Sequence, residues 1–193
     1  MYAGHLDFSI DLWWTVDDVL TPEECKQYIA YFEQRGDAHL APVIRKDGVG
    51  IDTRVRNNTR VMWDDQAEAD ALLERVAERM TLTSRRFPAV YQSGARRGAN
   101  PRLRIYCYGP DERHSAHWDT EVDIDDECVT RMTLVVYLNQ DFGGGQTEFP
   151  ELGVTVVPKT GMALVFQHRV LHAACPVEHS QKYVLRTDVV FEK

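Results

Sequence analysis

The stretch "HSAHWDT" sets two metal-binding side chains two residues apart, His117 and Asp119. On a strand end, residues i and i+2 point to the same face, so this imidazole and this carboxylate converge on one point. Trp118 between them points the other way and is expected to act as an apolar anchor behind the pair. A third donor must come from elsewhere. "RVLHAACPV" offers His172, which a late strand can place opposite an early one. Two imidazoles and one carboxylate with open coordination positions suit ferrous iron. Zinc is the competitor, but its catalytic sites favour four-coordination with one open position, and no HExxH helix is present.

Other donor pairs fit less well. His168 and His172 in "HRVLH" have helical spacing, yet the flanks "MALVFQ" and "AACPV" read as strand. His114 and His117 in "HSAH" have the same difficulty. "DTEVDIDDE" lacks the glycine of a calcium loop and reads as a solvated acidic loop. The C-terminal run "KYVLRTDVVFEK" places Lys182 and Arg186 on a pattern of buried strand. A basic side chain facing a core needs an acidic partner or a ligand. Lys182, Val184 and Arg186 share one face; so do Tyr106 and Tyr108, and Arg131, Thr133, Val135 and Tyr137. Plainer roles compete: Lys182 snorkelling at a strand end, Arg186 paired with Asp188 or Glu192, and the tyrosines as core aromatics.

These residues need elements to hold them. "TPEECKQYIAYFEQRG" predicts a helix capped by Thr21, with Pro22 at its first position, Glu24 completing a capping box and Gly36 ending it. "DDQAEADALLERVAERM" predicts a second, capped by Asp64 or Asp65, with Ala69, Leu72, Leu73, Val76 and Met80 as its buried stripe. The segment between them is expected to be extended, with a turn at Asp47-Gly48. "SRRFPAVYQSGARRGANPR" reads as a basic loop, either solvated or a lid over substrate. From about residue 102, six short runs rich in β-branched and aromatic residues predict a sandwich or barrel of the jelly-roll type. "DFGGGQTEF" is expected to be a tight hairpin turn that supports the site without touching it. The fold class is α+β, with residues 1–193 as one domain: helical support and loops over 1–100, the jelly roll over 101–193.

The 193 residues suit one core, and the formal net charge of -8 argues against a nucleic-acid partner. Four cysteines without a CxxC pair, no leader-like start and no run of membrane-spanning length make a reduced, cytoplasmic protein the expectation.

The same residues carry a resemblance. "VLTPEEC", "TRVRNNTRVMWDD", "LRIYCYGPDERHSAHWD", "TRMTLVVYLNQDFGGGQTEF" and "LVFQHRVLH", followed by a basic residue ten positions after His172, resemble the prolyl 4-hydroxylase-like branch of the 2-oxoglutarate and Fe(II)-dependent dioxygenases. The resemblance covers most of the chain. It implies a double-stranded β-helix (jelly-roll) core with supporting N-terminal helices, and Fe(II) held by His117, Asp119 and His172. It also implies 2-oxoglutarate and O2 as cosubstrates, with ascorbate in support. Lys182 would pair with the distal carboxylate of 2-oxoglutarate, and Tyr108 and Tyr137 would donate to the same molecule; Arg186 on the same strand is a further candidate. The implied reaction is hydroxylation of a C–H bond, of a prolyl residue in a protein or peptide or of a free amino acid or small metabolite. A jelly-roll metal-binding or sensor module without turnover is the reading from another class. The chain departs from many members in carrying Ala173-Ala174 where they have Glu-Gly, which bears on substrate choice. Its length leaves no room for a separate peptide-binding or subunit-pairing domain.

Overall fold

The computed structural model describes residues 6–45, 48–92 and 94–193. Helix α1 (Pro22–Gln34) starts as its sequence requires: Thr21 accepts from the Glu24 N–H, and the Glu24 carboxylate accepts from the Thr21 N–H. It stops before Gly36. Arg35 is the cap, in extended conformation, with its side chain paired to Asp37 and its N–H donated to Phe32. Because the chain leaves the helix in extended conformation, no left-handed residue is needed at the turn. Helix α2 (Gln66–Leu82) is capped by Asp65, and its five predicted apolar residues are all buried. The four larger ones each contribute roughly 1.5–3 kcal/mol by leaving water.

The strands are β1 (Trp13–Val16), β2 (His39–Leu40), β3 (Val43–Arg45), β4 (Gly48–Gly50), β5 (Thr59–Asp64), β6 (Val90–Tyr91), β7 (Gly94–Ala99), β8 (Arg102–Tyr108) and β9 (His114–His117), followed by β10 (Cys128–Tyr137), β11 (Gly143–Gly144), β12 (Thr147–Phe149), β13 (Val154–Val156), β14 (Ala163–Gln167), β15 (His172–Ala174), β16 (Val177–His179) and β17 (Lys182–Glu192). A large antiparallel sheet runs β1-β14-β10-β17-β8-β5-β2, with β7 added on β17 and β6 on β7. A smaller sheet, β13-β12-β15-β9, completes a jelly roll.

Strand periodicity divides the large sheet into two faces. Leu103, Ile105 and Cys107 of β8, Met132, Leu134 and Val136 of β10, and Tyr183, Leu185 and Val189 of β17 join one core cluster with Cys25 and Phe32 of α1 and the stripe of α2. The alternate residues of the same strands turn toward the smaller sheet. The helices thus cover one face of the sheet and leave the other for chemistry.

Three expectations change. The basic segment is a loop over residues 84–89, but β6 and β7 extend the large sheet, and β7 pairs with Val189–Phe191 at the far end of β17. There Arg97 pairs with Glu192, and Arg96 lies over Phe87, so neither is a lid. Ser93 of that segment lies outside the described residues, as does Asp47 of the predicted turn, although β3 and β4 do pair as a hairpin. The glycine run is not a hairpin turn, because β11 pairs with the distant β16. Residues before 101 also supply β1, β2, β5, β6 and β7 of the large sheet, in addition to the helices.

Candidate metal and cosubstrate site

His117 ends β9 and His172 begins β15, and the two are direct partners in the antiparallel register. Sheet pairing therefore brings them together across the long stretch of sequence between them. Asp119 follows β9 and is fixed by its own N–H, donated to the His168 carbonyl (2.9 Å). One ligand atom from each of the three lies within 4.8 Å of the others.

The donor chemistry fits a divalent cation. His117 Nδ1 faces the Ser115 carbonyl at 2.8 Å and His172 Nδ1 the Val170 carbonyl at 3.0 Å. A carbonyl only accepts, so the protons sit on Nδ1 and the Nε2 lone pairs are free for a metal. Those Nε2 atoms lie 3.8 and 3.6 Å from the Asp119 carboxylate. Burial, reinforced by His172, lowers His117 to about 3, and burial also lowers His172, so both are neutral as ligands must be. Burial alone would raise Asp119, but Arg186 and then His172 and His117 outweigh it and hold the carboxyl well below its usual range. Phe166 packs on His172 with ring centroids 4.4 Å apart.

A pocket runs from this triad between the two sheets. Tyr106 and Tyr108 of β8, Thr133, Val135 and Tyr137 of β10, and Lys182, Val184 and Arg186 of β17 line it, as strand alternation predicts. Lys182 is 1% exposed, and its Nζ donates to the Gly145 carbonyl (2.6 Å). It lies 5.3 Å from the Tyr108 ring centroid and 5.5 Å from that of Tyr137. Burial lowers it to about 8; the thiol of Cys175 works weakly the other way, and no carboxylate faces it among the described residues. Tyr137 shares a hydrogen bond with Thr147 (2.7 Å), and burial pushes the Tyr108 phenol up to about 12. Arg186 is occupied differently. It donates to Asp119 (3.1 Å), Thr133 (3.3 Å) and Asp188 (3.0 Å), while Arg104 holds Asp188 from the other side (3.1 Å). Of the two acidic neighbours named from sequence for Arg186, Asp188 is the partner, and Glu192 belongs to Arg97.

Part of the chain resembles the 2OG-Fe(II) oxygenase superfamily. The model of that family matches residues 103–187, a segment that contains His117, Asp119, His172 and Lys182. A putative prolyl 4-hydroxylase of Acanthamoeba polyphaga mimivirus is 32% identical over 100 residues, covering 42% of this chain and 41% of the relative, so the match spans about two fifths of that protein. Among solved structures, the viral collagen prolyl hydroxylase of Paramecium Bursaria Chlorella virus-1, in its 2OG complex, superposes with a TM-score of 0.64 at 21% identity, over 94% of this chain and 97% of that one. A prolyl hydroxylase from Trichoplax adhaerens, in complex with a hypoxia inducible factor peptide fragment, gives 0.67 at 16% identity, over 94% and 84%. At these identities the structural likeness establishes the shared fold.

Two features of this site differ from the sequence expectations. Trp118 is 38% exposed and lines an outer groove, so it does not anchor the ligands from behind; Phe166 and Phe149 pack beside His172 instead. The glycine run touches the site, since Gly145 accepts from Lys182. Its φ is +66°, and a methyl group on its Cα would stand 3.2 Å from Lys182 Cδ, so both backbone and space require glycine there. His114, read as an unsuitable ligand, stands outside the ligand group but stacks on His117, with ring centroids 3.5 Å apart. Arg56 was missed. It lines the pocket from an irregular segment that, among the described residues, pairs through an isolated bridge to His114, which no periodicity marks. A larger cavity, about 570 Å³, lies between α1, α2 and β5, away from these groups. Its Glu68 already accepts from Tyr28 (2.7 Å) and Trp63 (2.9 Å).

Proposed function

We propose that this chain is a 2-oxoglutarate-dependent hydroxylase, a single oxygenase domain that acts on a prolyl residue in a protein or peptide. The observation that carries the reading is the pairing of two features in one pocket: three convergent metal donors at one end and the uncompensated Lys182 at the other. The prolyl substrate comes from its relatives, which are named as prolyl hydroxylases.

His117, Asp119 and His172 would hold Fe(II), leaving positions open for ligands that are not protein. Lys182 would bind the distal carboxylate of 2-oxoglutarate, a charge-assisted contact in a dry site. Tyr108 and Tyr137 flank that ammonium and offer hydroxyls to the same carboxylate. Arg186 and Thr133 orient the Asp119 carboxylate and hold its charge. When bound, Fe(II), 2-oxoglutarate and O2 supply the oxidising power that leaves succinate and carbon dioxide and hydroxylates a C–H bond. Val135, Val184 and Phe166 line the enclosed part of the pocket and keep water from the reacting centre. Ascorbate as a supporting reductant belongs to the same reading. So does a cytoplasmic setting, which the four free cysteines favour. No described helix is long and apolar enough to cross a membrane.

The test is succinate release with Fe(II), 2-oxoglutarate and O2, together with a +16 Da product in proline-containing peptides. Both should vanish in His117→Ala and Asp119→Ala. A product formed only from free amino acids would move the substrate to a small metabolite. No succinate under any condition would leave a metal-binding module without turnover.

A further inference from the structure

Where the pocket opens, a buried guanidinium stands without a counter-ion. Arg56 is 7% exposed; its Nε donates to Asn58 Oδ1 (2.8 Å), and its guanidinium carbon lies 4.5 Å from the Tyr106 ring centroid. Among the described residues no carboxylate forms an ion pair with it, and none is among the largest influences on its charge. Arg60 is half-buried beside it, with Nε on His39 (3.4 Å) and no ion pair to a carboxylate among the described residues. Their neighbours Arg104 and Arg186 differ, being matched by Asp188 and Asp119. A buried charge left unpaired costs several kcal/mol, so an uncompensated arginine lining a cavity points to a ligand.

Arg56 lines both the enclosed cavity and an outer groove of about 270 Å³. Lys182 lines the enclosed cavity but not the groove, so the two cations serve different ends of one space. Val43, Ile44 and Trp118 form an apolar wall of the groove. The Tyr106 phenol faces the same arginines. Burial alone would raise it, but Arg56, Arg186 and Arg104 hold it at about 8, a sign of strongly positive surroundings. In the oxygenase reading, Fe(II) and Lys182 bring three positive charges and 2-oxoglutarate returns two negative ones. Arg56 and Arg60 then remain in excess.

We propose that the groove binds a carboxylate of the substrate, held by Arg56 with help from Arg60 and the Tyr106 hydroxyl, next to the carbon presented at the triad. With Nε taken by Asn58, the two terminal nitrogens of this guanidinium, stacked on Tyr106, are the donors that would meet a planar anion. The carboxylate can be the terminal one of a free amino acid or that of an acidic residue beside the target in a peptide. This inference rests on the oxygenase reading and names its substrate class.

The test uses calorimetric binding to the protein loaded with Mn(II) and 2-oxoglutarate, with two probe pairs. One pair is N-acetyl-L-proline and its amide; the other is Ac-Ala-Pro-Glu-Ala-NH2 and the glutamine equivalent. The acid member of at least one pair should bind about 10- to 100-fold more tightly. Preference in the first pair marks a terminal carboxylate, and in the second an acidic side chain. Arg56→Gln should abolish the preference, whereas Arg56→Lys, which keeps the charge, should retain part of it; melting curves check that both fold. Equal binding within both pairs, no binding of any probe, or a preference unchanged in Arg56→Gln would each overturn the proposal. Succinate release measured on the same preparations separates this outcome from failure of the oxygenase reading, since it does not depend on the anion.

Discussion

Replacing Lys182 by methionine should stabilise the metal-free, cosubstrate-free protein while removing its affinity for 2-oxoglutarate. The ammonium is 1% exposed, and its one hydrogen bond within the fold is to the Gly145 carbonyl. Burial depresses it from 10.5 in the unfolded chain to about 8 in the folded protein. At about 1.36 kcal/mol per unit, keeping this charge inside costs roughly 3 kcal/mol at neutral pH. Because the folded value lies below the unfolded one, the unfolded chain binds the extra proton between about pH 8 and 10.5. Stability contributed at this position therefore rises with pH through that window, and the full penalty stands below pH 8. Methionine has similar length and no charge, so Lys182→Met should gain up to about 3 kcal/mol at pH 7 and flatten the pH dependence between 8 and 10.5. Urea unfolding from pH 6.5 to 10 reads both effects. Calorimetry with Mn(II) should show 2-oxoglutarate binding at least about 10-fold weaker, as befits loss of a charge-assisted contact. A variant that is destabilised at pH 7 and binds 2-oxoglutarate as before would refute this. Lys182 would then be a structural donor to Gly145, and the site's anion would lie on another cation.

Arg186→Leu strips the arginine counter-ion from Asp119 and one of two from Asp188, both almost fully buried, and should cost about 3–5 kcal/mol, seen as a lower melting temperature. Arg97→Leu removes the exposed pair with Glu192 at the far end of β17 and should change stability by at most about 1 kcal/mol. Gly145→Ala meets both a positive φ and the flank of Lys182, so the 2-oxoglutarate requirement should rise several-fold while the melting temperature falls modestly. A fall in melting temperature with no change in cosubstrate binding would show that Gly145 serves only the chain turn. Asp119→Asn keeps the shape of the carboxylate but loses its charge beside Arg186; Mn(II) binding by calorimetry should weaken by more than about 100-fold.

What the sequence made legible follows from the range over which each feature is determined. Strand alternation is a local rule. It groups Tyr106 with Tyr108, Thr133 and Val135 with Tyr137, and Lys182 and Val184 with Arg186, each set on one face of its own strand, and the folded sheet brings the three sets into one pocket lining. Helix caps are equally local, and Thr21 and Asp65 fall where their side chains satisfy the first free N–H groups. Charge compensation is not local. Whether Lys182 or Arg186 awaits a ligand depends on which carboxylate the folded sheet brings to it, and Asp119 reaches Arg186 only because β9 folds over β17. Arg131 shows the same limit from the other side. It shares the parity of Thr133, but a bulge between Thr130 and Met132 interrupts the register, and its guanidinium lies over Tyr91, outside the pocket lining. The basic segment around Arg96 misled because arginine and glycine composition reads as loop, whereas backbone pairing with β17 makes it a strand regardless of side chains. Arg56 lies beyond any periodic rule, on irregular chain. Its importance appears only when Arg104 and Arg186 have been matched to carboxylates and this one, with Arg60, has not. The metal donors are the part a sequence reveals best, because their chemistry restricts residue types so strongly. Cations such as Arg56 are the part it reveals least, because each is defined by the partner it lacks.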